Sequence, residues 1–547
     1  STLACKAAAG GVIGGVRTAS SVSNVINNGD ITYTSATQSN NMYISGVVGK
    51  EDDGSIPAFI VFSDCTNNGS ITATKESTTN GYDLVMSGVT GTLRLPEGTI
   101  AKNLVNTGDL TAAGAAKNIR ISGLTSYTNN TVMESCSNSG DITVEGTASA
   151  TGTPFLHGLF GASTTSPSIT KCNNSGNITV KSGFTSTKDS NIYLSGLAYS
   201  ATGGMQFTDN HNTGNLTIVG TDTEFKKLVY VSGIVDNVSG DETVVSKCSN
   251  KGKITIGAFT DNTTGNDGRL YVGGLFRTVS SGSVSECSVL KEATINVAPK
   301  KVSSEVMMAA FAAYLSGSST PTFTDCTNAA DLTLAAEYAH GVYMGALFGQ
   351  IYSKTTTYQL TFTRCNNSGN ITLGGQSYSY AVAEDGTVGG GAIMGVGGMF
   401  GYTLGTTITF DDCDNSGTVT ANPTGNCYRL AVGGFGGWHQ HRVDNYITTF
   451  KDCDVTGNVV YAPTTVSHYS RVGGFHGFAY GHTSYSKGQD IYENCTFGGE
   501  VSVSGEGTLS DRSFIGSFIG DMTQPSKFTS CSATKSSKVT VSIAKTN

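Results

Sequence analysis

Apolar residues return along this chain in a fixed frame that is not the 3.6-residue rhythm of a helix. One recurring segment reads apolar-x-Gly-apolar, as in Ile44-Ser-Gly46-Val47, Ile121-Ser-Gly123-Leu124, Val272-Gly-Gly274-Leu275 and Val472-Gly-Gly474-Phe475. The other reads Cys-x-Asn-x-Gly-x-Ile-Thr, as in Cys65 to Thr72 and Cys136 to Thr143. The two alternate along the chain, fourteen copies of each, at a mean step of about 39 residues. The gap from Gly to Cys varies between 13 and 21 residues, so length variation falls in loops and the motifs form the frame. Three residues before the Cys column an apolar side chain recurs: Phe62, Met133, Ile169, Phe207, Phe323, Phe362, Phe410, Phe450, Tyr492 and Phe528. The residue just before the Cys is polar or charged, for example Asp64, Lys171, Glu286, Arg364 and Asp452. Alternation of this kind sets one face toward a core and one toward water.

One unit cannot bury its own apolar face, whereas stacked units place Ile on Ile and Phe on Phe. The pattern therefore predicts an all-β chain: a single right-handed parallel β-solenoid of about 14 coils, with about three short strands per coil, running over 1–547 as one domain. The three strands are the apolar-x-Gly-apolar segment, the segment leading into the Cys, and Ile-Thr-apolar. The Gly after the Asn is expected to permit a tight turn with φ > 0. The Asn is expected to bond its equivalent one coil along. The rival architecture is a pair of β-propellers, since the repeat length is near a blade. Kelch blades carry a late Trp, however, and Trp438 is the sole Trp.

Composition sharpens the β reading. Gly is 71 of 547 residues, Pro is 9, and charged residues are 14%, which disfavours long helices and favours short strands joined by Gly/Asn turns. The net charge of −8 lacks the basic surface of a nucleic-acid binder. No run of 18 apolar residues is present, so no transmembrane helix is expected.

The segment from Tyr271-Val-Gly-Gly274-Leu-Phe to Ser-Glu-Cys287, together with the continuation from Cys172 to Ile178, resembles the GLUG-type repeat of bacterial surface proteins. The resemblance runs over essentially the whole chain; the insert after Ile-Thr is longer here than in that family. It implies a bacterial cell-surface or secreted protein of β-helix type, often adhesin-like, and it fixes no activity.

Eleven of the 13 cysteines fall on the repeat column: Cys65, Cys136, Cys172, Cys248, Cys287, Cys326, Cys365, Cys413, Cys453, Cys495 and Cys531. A disulfide framework or a zinc site is one reading. The absence of any C-x-x-C pair and the odd count favour a structural ladder of buried thiols. Free thiols sit uneasily with an oxidising compartment.

Histidines are unevenly spread. His439, His441, His468, His476 and His482 lie within 44 residues of each other. Aligning the Gly-Gly motifs sets Tyr402, Trp438 and Phe478 in one column, with Arg442, Tyr480, His441 and His482 nearby. A ligand patch is the sharp reading: stacked aromatics for a sugar face, and His439, His441, His476, His482 or Arg442 for its hydroxyls. An aromatic core stack with solvated loop histidines is the plain one, and it is favoured. No metal site and no cofactor are expected. Asp411, Asp412 and Asp414 lack the spacing of a calcium loop. No nucleophile elbow, P-loop or HExxH motif occurs, so no catalytic residue is assigned.

The sequence thus points to a non-catalytic extracellular or cell-surface rod. Its partner would be a host or microbial surface protein or a glycan. With no capping helix evident near either end, it is expected to belong to a longer chain or to stack end to end. The alternatives are a carbohydrate-active β-helix enzyme, a lyase or glycosidase, and a glycan-binding module using Trp438.

Overall fold

The structure, a computed structural model, describes residues 7–35, 40–51, 59–75, 82–129, 131–146, 149–150, 153–163, 168–186, 191–220, 224–225, 228–261, 268–317, 319–353, 358–378, 393–425, 427–441, 446–481, 488–509, 512–534 and 537–545. Among them there is no helix, and none therefore long and apolar enough to cross a membrane. The chain is a parallel β-solenoid, organised as two compact units, Ser1–Thr264 and Gly265–Asn547.

One winding of the first unit shows the design. Leu84–Ser87 runs to the motif Gly88, and the chain turns into Thr90–Arg94. Ile100–Lys102 leads to the Cys column, here Leu104, and the two-residue strand Val105–Asn106 follows. Leu110–Ala116 carries the Leu-Thr pair. The next winding repeats each step: Ile119–Ser122 pairs in parallel with Leu84–Ser87, and Ser137–Asn138 with Val105–Asn106. A winding thus holds five short strands where three are expected. The motif Gly breaks its segment into two strands, and the Cys-x-Asn turn is itself hydrogen-bonded to its neighbours. Within each unit the strands that follow the motif Gly stack in sequence order. The first unit runs from Ile13–Val16 to Val235–Val238, the second from Phe276–Val279 to Ile519–Met522.

The registers read from the sequence are the registers of the core. Ile71 lies beside Leu110, Leu110 beside Ile142, and Ile142 beside Ile178, all fully buried. In the second unit the residue three before the Cys forms a continuous stack. Phe362, Phe410, Phe450, Tyr492 and Phe528 succeed each other with ring centroids 4.7 to 5.3 Å apart. Offset and parallel stacking at these spacings adds to the area each ring buries.

Two expectations need a different physical reason. The glycine after the Asn does not adopt positive φ. It is required because windings approach too closely for a side chain: a Cβ on Gly140 would overlap the carbonyl oxygen of Gly108, and one on Gly123 would overlap both the Gly158 carbonyl and the Asn138 carboxamide. The left-handed position is instead the polar residue before the Cys. All fourteen such residues, from Asn24 to Ser530, have φ between 50 and 57°. That column is polar because the chain corners there, as well as because it meets water. Asn and Asp tolerate αL best, yet Lys171, Glu286 and Arg364 are held in it too.

The Asn ladder forms. In the first unit the Nδ2 of Asn27, Asn67, Asn106, Asn138, Asn174 and Asn212 each donates to the Oδ1 of the next Asn, ending on Asn250, at 2.7 to 2.9 Å. Each also donates to the carbonyl two residues on, as Asn138 does to Gly140 at 2.9 Å. The buried amides are satisfied by their own repetition.

Candidate functional site

Along the second unit two interior columns change character at the same level. In the strands after the motif Gly, Leu315 and Ile351 give way to Thr403 and His439, with Ala479 next. Five residues before the Cys, Leu360 and Ile408 give way to Thr448 and Asp490. Polar groups replacing aliphatic ones inside a packed core mark a place where local pattern yields to another demand.

The replacements meet. His439 and His441 lie on Gly436–His441, a strand buried along its whole length, and Asp490 lies one winding later on Gln489–Glu493. Residues two apart on a strand share a face, so both imidazoles turn the same way. The His439 Nε2 is 2.9 Å from the His441 Nε2 and 3.0 Å from the Asp490 Oδ1, and the His441 Nε2 is 2.9 Å from the same oxygen. His439 is 2% exposed, and His441 and Asp490 not at all. The Thr403 hydroxyl meets the His439 Nδ1. By accepting Nδ1–H it would leave the Nε2 lone pair facing the cluster. Beside them His476 packs on Phe450 with centroids 4.7 Å apart and bonds the Tyr492 hydroxyl through Nδ1 at 2.8 Å. It occupies space opened by Gly436, where a Cβ would overlap the rings of both Phe400 and His476.

Electrostatics divides these groups. Burial holds the His476 imidazole down to about 3, so it is neutral at ordinary pH, and burial also lowers His441. Burial alone would raise the Asp490 carboxyl. The two imidazoles beside it outweigh that and hold the carboxyl well below its usual range. Asp490 Oδ2, His441 Nδ1, His476 Nε2 and Thr448 Oγ1 are among the buried polar atoms with no hydrogen-bond partner among the described residues. The cluster of His439, His441 and Asp490 offers two imidazole nitrogens and a carboxylate oxygen to a single point, the donor set of a transition-metal ion.

The other sequence candidates fall differently. Tyr402, Trp438 and Phe478 do form one column, with Trp438 and Phe478 centroids 4.7 Å apart. The column is covered: Trp438 is 5% exposed and the other two less, and the Arg471 guanidinium lies 4.0 Å from the Phe478 ring centre. It offers no open platform for a sugar ring. Tyr480 flanks it, 5.3 Å from Phe478. His468 is on the strand Val466–His468, apart from the cluster in sequence register. Arg442 and His482 lie outside the described residues. Asp490 is absent from the sequence candidates, although an acid five residues before the Cys stands out once Leu360, Ile408 and Thr448 are aligned with it.

All cysteines among the described residues are free, and all but Cys531 are buried. Along the column each Sγ faces the carbonyl two residues back, as Cys65 does Ser63 at 3.2 Å. Burial pushes the Cys65 thiol up to about 11 and the off-column Cys427 up to about 12, which makes them poor nucleophiles. Asn210 takes the same slot without loss, since its carboxamide bonds the Ile169 carbonyl and the Cys172 N–H.

Comparison with protein-family models, curated proteins and solved structures finds no match.

Proposed function

We propose that the chain is a non-catalytic structural or adhesive β-solenoid of the extracellular space or a bacterial cell surface, in the manner of GLUG-type surface repeats. Its partner would be a host or microbial surface protein or a glycan. The observation that carries this reading is where the polar groups are spent. Amides bond amides of the next winding, and exposed acids pair with cations one winding away: Lys181 with Glu145 at 2.7 Å, Arg364 with Asp325 at 2.6 Å, Lys451 with Asp411 at 2.9 Å. A glycosidase needs two carboxyl groups converging across a cleft, and these acids are instead distributed along the stack. Apart from Cys531 the column thiols are buried, each facing a main-chain carbonyl, and burial shields them from oxidants in an oxidising compartment.

The terminal windings favour assembly by stacking. Val12 and Ile26 in the first winding, and Met522, Phe528 and Val541 in the last, are each about two-fifths exposed or more. A cavity of about 520 Å³ opens at Phe518, Ile519, Met522 and Phe528. A second copy stacked end to end would cover these faces.

The test is incubation of the purified chain with acidic and neutral polysaccharides, alongside a glycan and surface-protein array. Retention on the array with no new reducing or unsaturated ends is expected. Turnover that disappears on changing a single carboxylate would establish the enzyme reading in its place.

A further inference from the structure

We propose that His439, His441 and Asp490 bind one divalent first-row transition-metal ion in six-coordinate geometry, joining two successive windings of the second unit. Three donor atoms stand at the corners of a nearly equilateral triangle with edges of 2.9 to 3.0 Å. An ion at about 2.1 Å from each, the usual length for imidazole and carboxylate ligands, subtends angles of about 90° between them. That is one face of an octahedron. A tetrahedral centre with the same bond lengths would hold its ligands about 3.4 Å apart, so the spacing favours ions of the Fe(II), Co(II) and Ni(II) class over four-coordinate zinc.

Hydrogen bonding alone accounts for the triangle less well. Each Nε2 has one in-plane direction and carries either a proton or a lone pair. With Asp490 as a carboxylate, protonating both rings opposes two N–H groups at 2.9 Å. Protonating one leaves the other ring's lone pair against the carboxylate oxygen. With neither protonated, three lone pairs converge. A cation at the centre satisfies all three at once.

Three further observations point the same way. Asp490 Oδ2 is fully buried without a hydrogen-bond partner among the described residues, free to serve as a further ligand. Thr403 engages the far nitrogen of His439, as outer partners of metal-bound imidazoles do. The aliphatic columns on either side are interrupted at this level, by Thr403 and His439 on one strand set and by Thr448 and Asp490 on the other. The three donor residues are buried, so the ion would be taken up as the windings close, together with the water ligands that complete its six-coordinate shell. Its role is then to tie the strand that ends at His441 to the strand of a different sheet, one winding later, that begins at Gln489. This inference does not depend on the adhesive reading above, because it concerns an interior site.

The experiment unfolds the full chain in a chelator and refolds it with Co(II), then measures bound cobalt and the visible d–d absorption. One cobalt per chain is expected, with the weak bands of a six-coordinate ion. Asp490→Asn is expected to reduce the stoichiometry to none, while His476→Gln retains one and serves as a control for disturbance of the same core. Should Asp490→Asn fail to recover the β-sheet circular dichroism of the parent, His439→Gln is read in its place. The unsubstituted chain decides the matter without either. Failure to retain Co(II), Ni(II) or Fe(II) after refolding overturns the proposal. So do intense tetrahedral bands, or full cobalt retention in a folded Asp490→Asn chain.

Discussion

The two units solve one packing problem with different chemistry. In the first, an unbroken line of amides from Asn27 to Asn250 runs through the turn after the Cys column, and the Ile-Thr strands stack Ile71, Leu110, Ile142, Ile178, Leu216 and Ile254. In the second, the amide line is short. It joins Asn328, Asn367 and Asn415, after which Asn415 turns to the Gly434 carbonyl and the slot is filled by Val455 and Phe497. Aromatic stacks carry the load there, in the column from Phe362 to Phe528 and in the run Phe435, Phe475 and Phe518 with centroids 4.8 Å apart. A polar ladder is self-satisfying only if it is continuous. An aromatic stack tolerates interruption, because each ring gains from area as well as from its neighbours. The polar cluster of His439, His441 and Asp490 occurs in the unit whose core is not committed to one repeating polar residue.

Exchanging the two solutions should give the largest effect. Asn138→Val leaves the Asn106 amide without its acceptor and the Asn174 oxygen without its donor, both deep in the stack. Each orphaned group costs about 1–3 kcal/mol, so a loss of about 2–6 kcal/mol is expected in urea unfolding. Val455→Asn places an amide where Phe497 offers no acceptor on the following winding. One orphaned amide group is expected to cost about 1–3 kcal/mol. If Asn138→Val unfolds within about 0.5 kcal/mol of the parent, the scatter of ordinary surface substitutions, the ladder is not what holds the first unit.

Acid should probe one buried histidine in each unit. His157 in the first and His476 in the second are both held down to about 3 by burial. Between about pH 6.5 and pH 3 the unfolded chain takes up protons that the folded chain refuses. Stability is therefore full above about 6.5 and falls as the pH drops, by about 1.4 kcal/mol per pH unit for each such histidine. Asp490 acts in the same direction in a lower window: its lowered carboxyl contributes stability above the ordinary carboxylate range, lost as the pH falls below about 4. His157→Gln should flatten the slope of the first unit's unfolding between pH 6 and 5, and His476→Gln that of the second. An unchanged slope in either would mean that the imidazole is not buried in its neutral form.

Much of this was legible in the sequence, and the limits are physical. The columns of Ile, Phe, Cys and Asn follow from repetition alone, since in-register stacking places equivalent residues side by side. The number of strands per winding does not, because a single glycine can bend a strand without altering its apolar pattern. The need for Gly140 shows only in the closeness of the Gly108 carbonyl on the previous winding, which no single unit contains. The histidines drew attention through their crowding. Asp490 did not, since acids are common and its meaning depends on the interior column it interrupts. The covering of Trp438 was equally hidden, because it rests on Arg471, a residue of the following winding that belongs to neither repeat motif.

The smallest expected effect concerns the corner before the Cys, where both units hold non-glycine residues at positive φ. Lys171 has φ 54° and, among the described residues, a long, exposed ion-pair contact of 3.8 Å with Glu134. A side chain in the left-handed region costs about 1–2 kcal/mol. Glycine removes that cost but adds about 0.4–1 kcal/mol of unfolded-state freedom. Lys171→Gly is therefore expected to stabilise the first unit by about 0.5 kcal/mol. Arg364, at φ 50°, differs in that its guanidinium forms two hydrogen bonds to Asp325, at 2.6 and 2.9 Å. Arg364→Gly relieves the same backbone strain and loses that pair, so little or no gain is expected. Equal gains at the two sites in thermal unfolding would show that the cross-winding pair adds nothing. A loss at Lys171 would show that the corner's geometry, with φ held by the stack on both sides, no longer penalises a side chain.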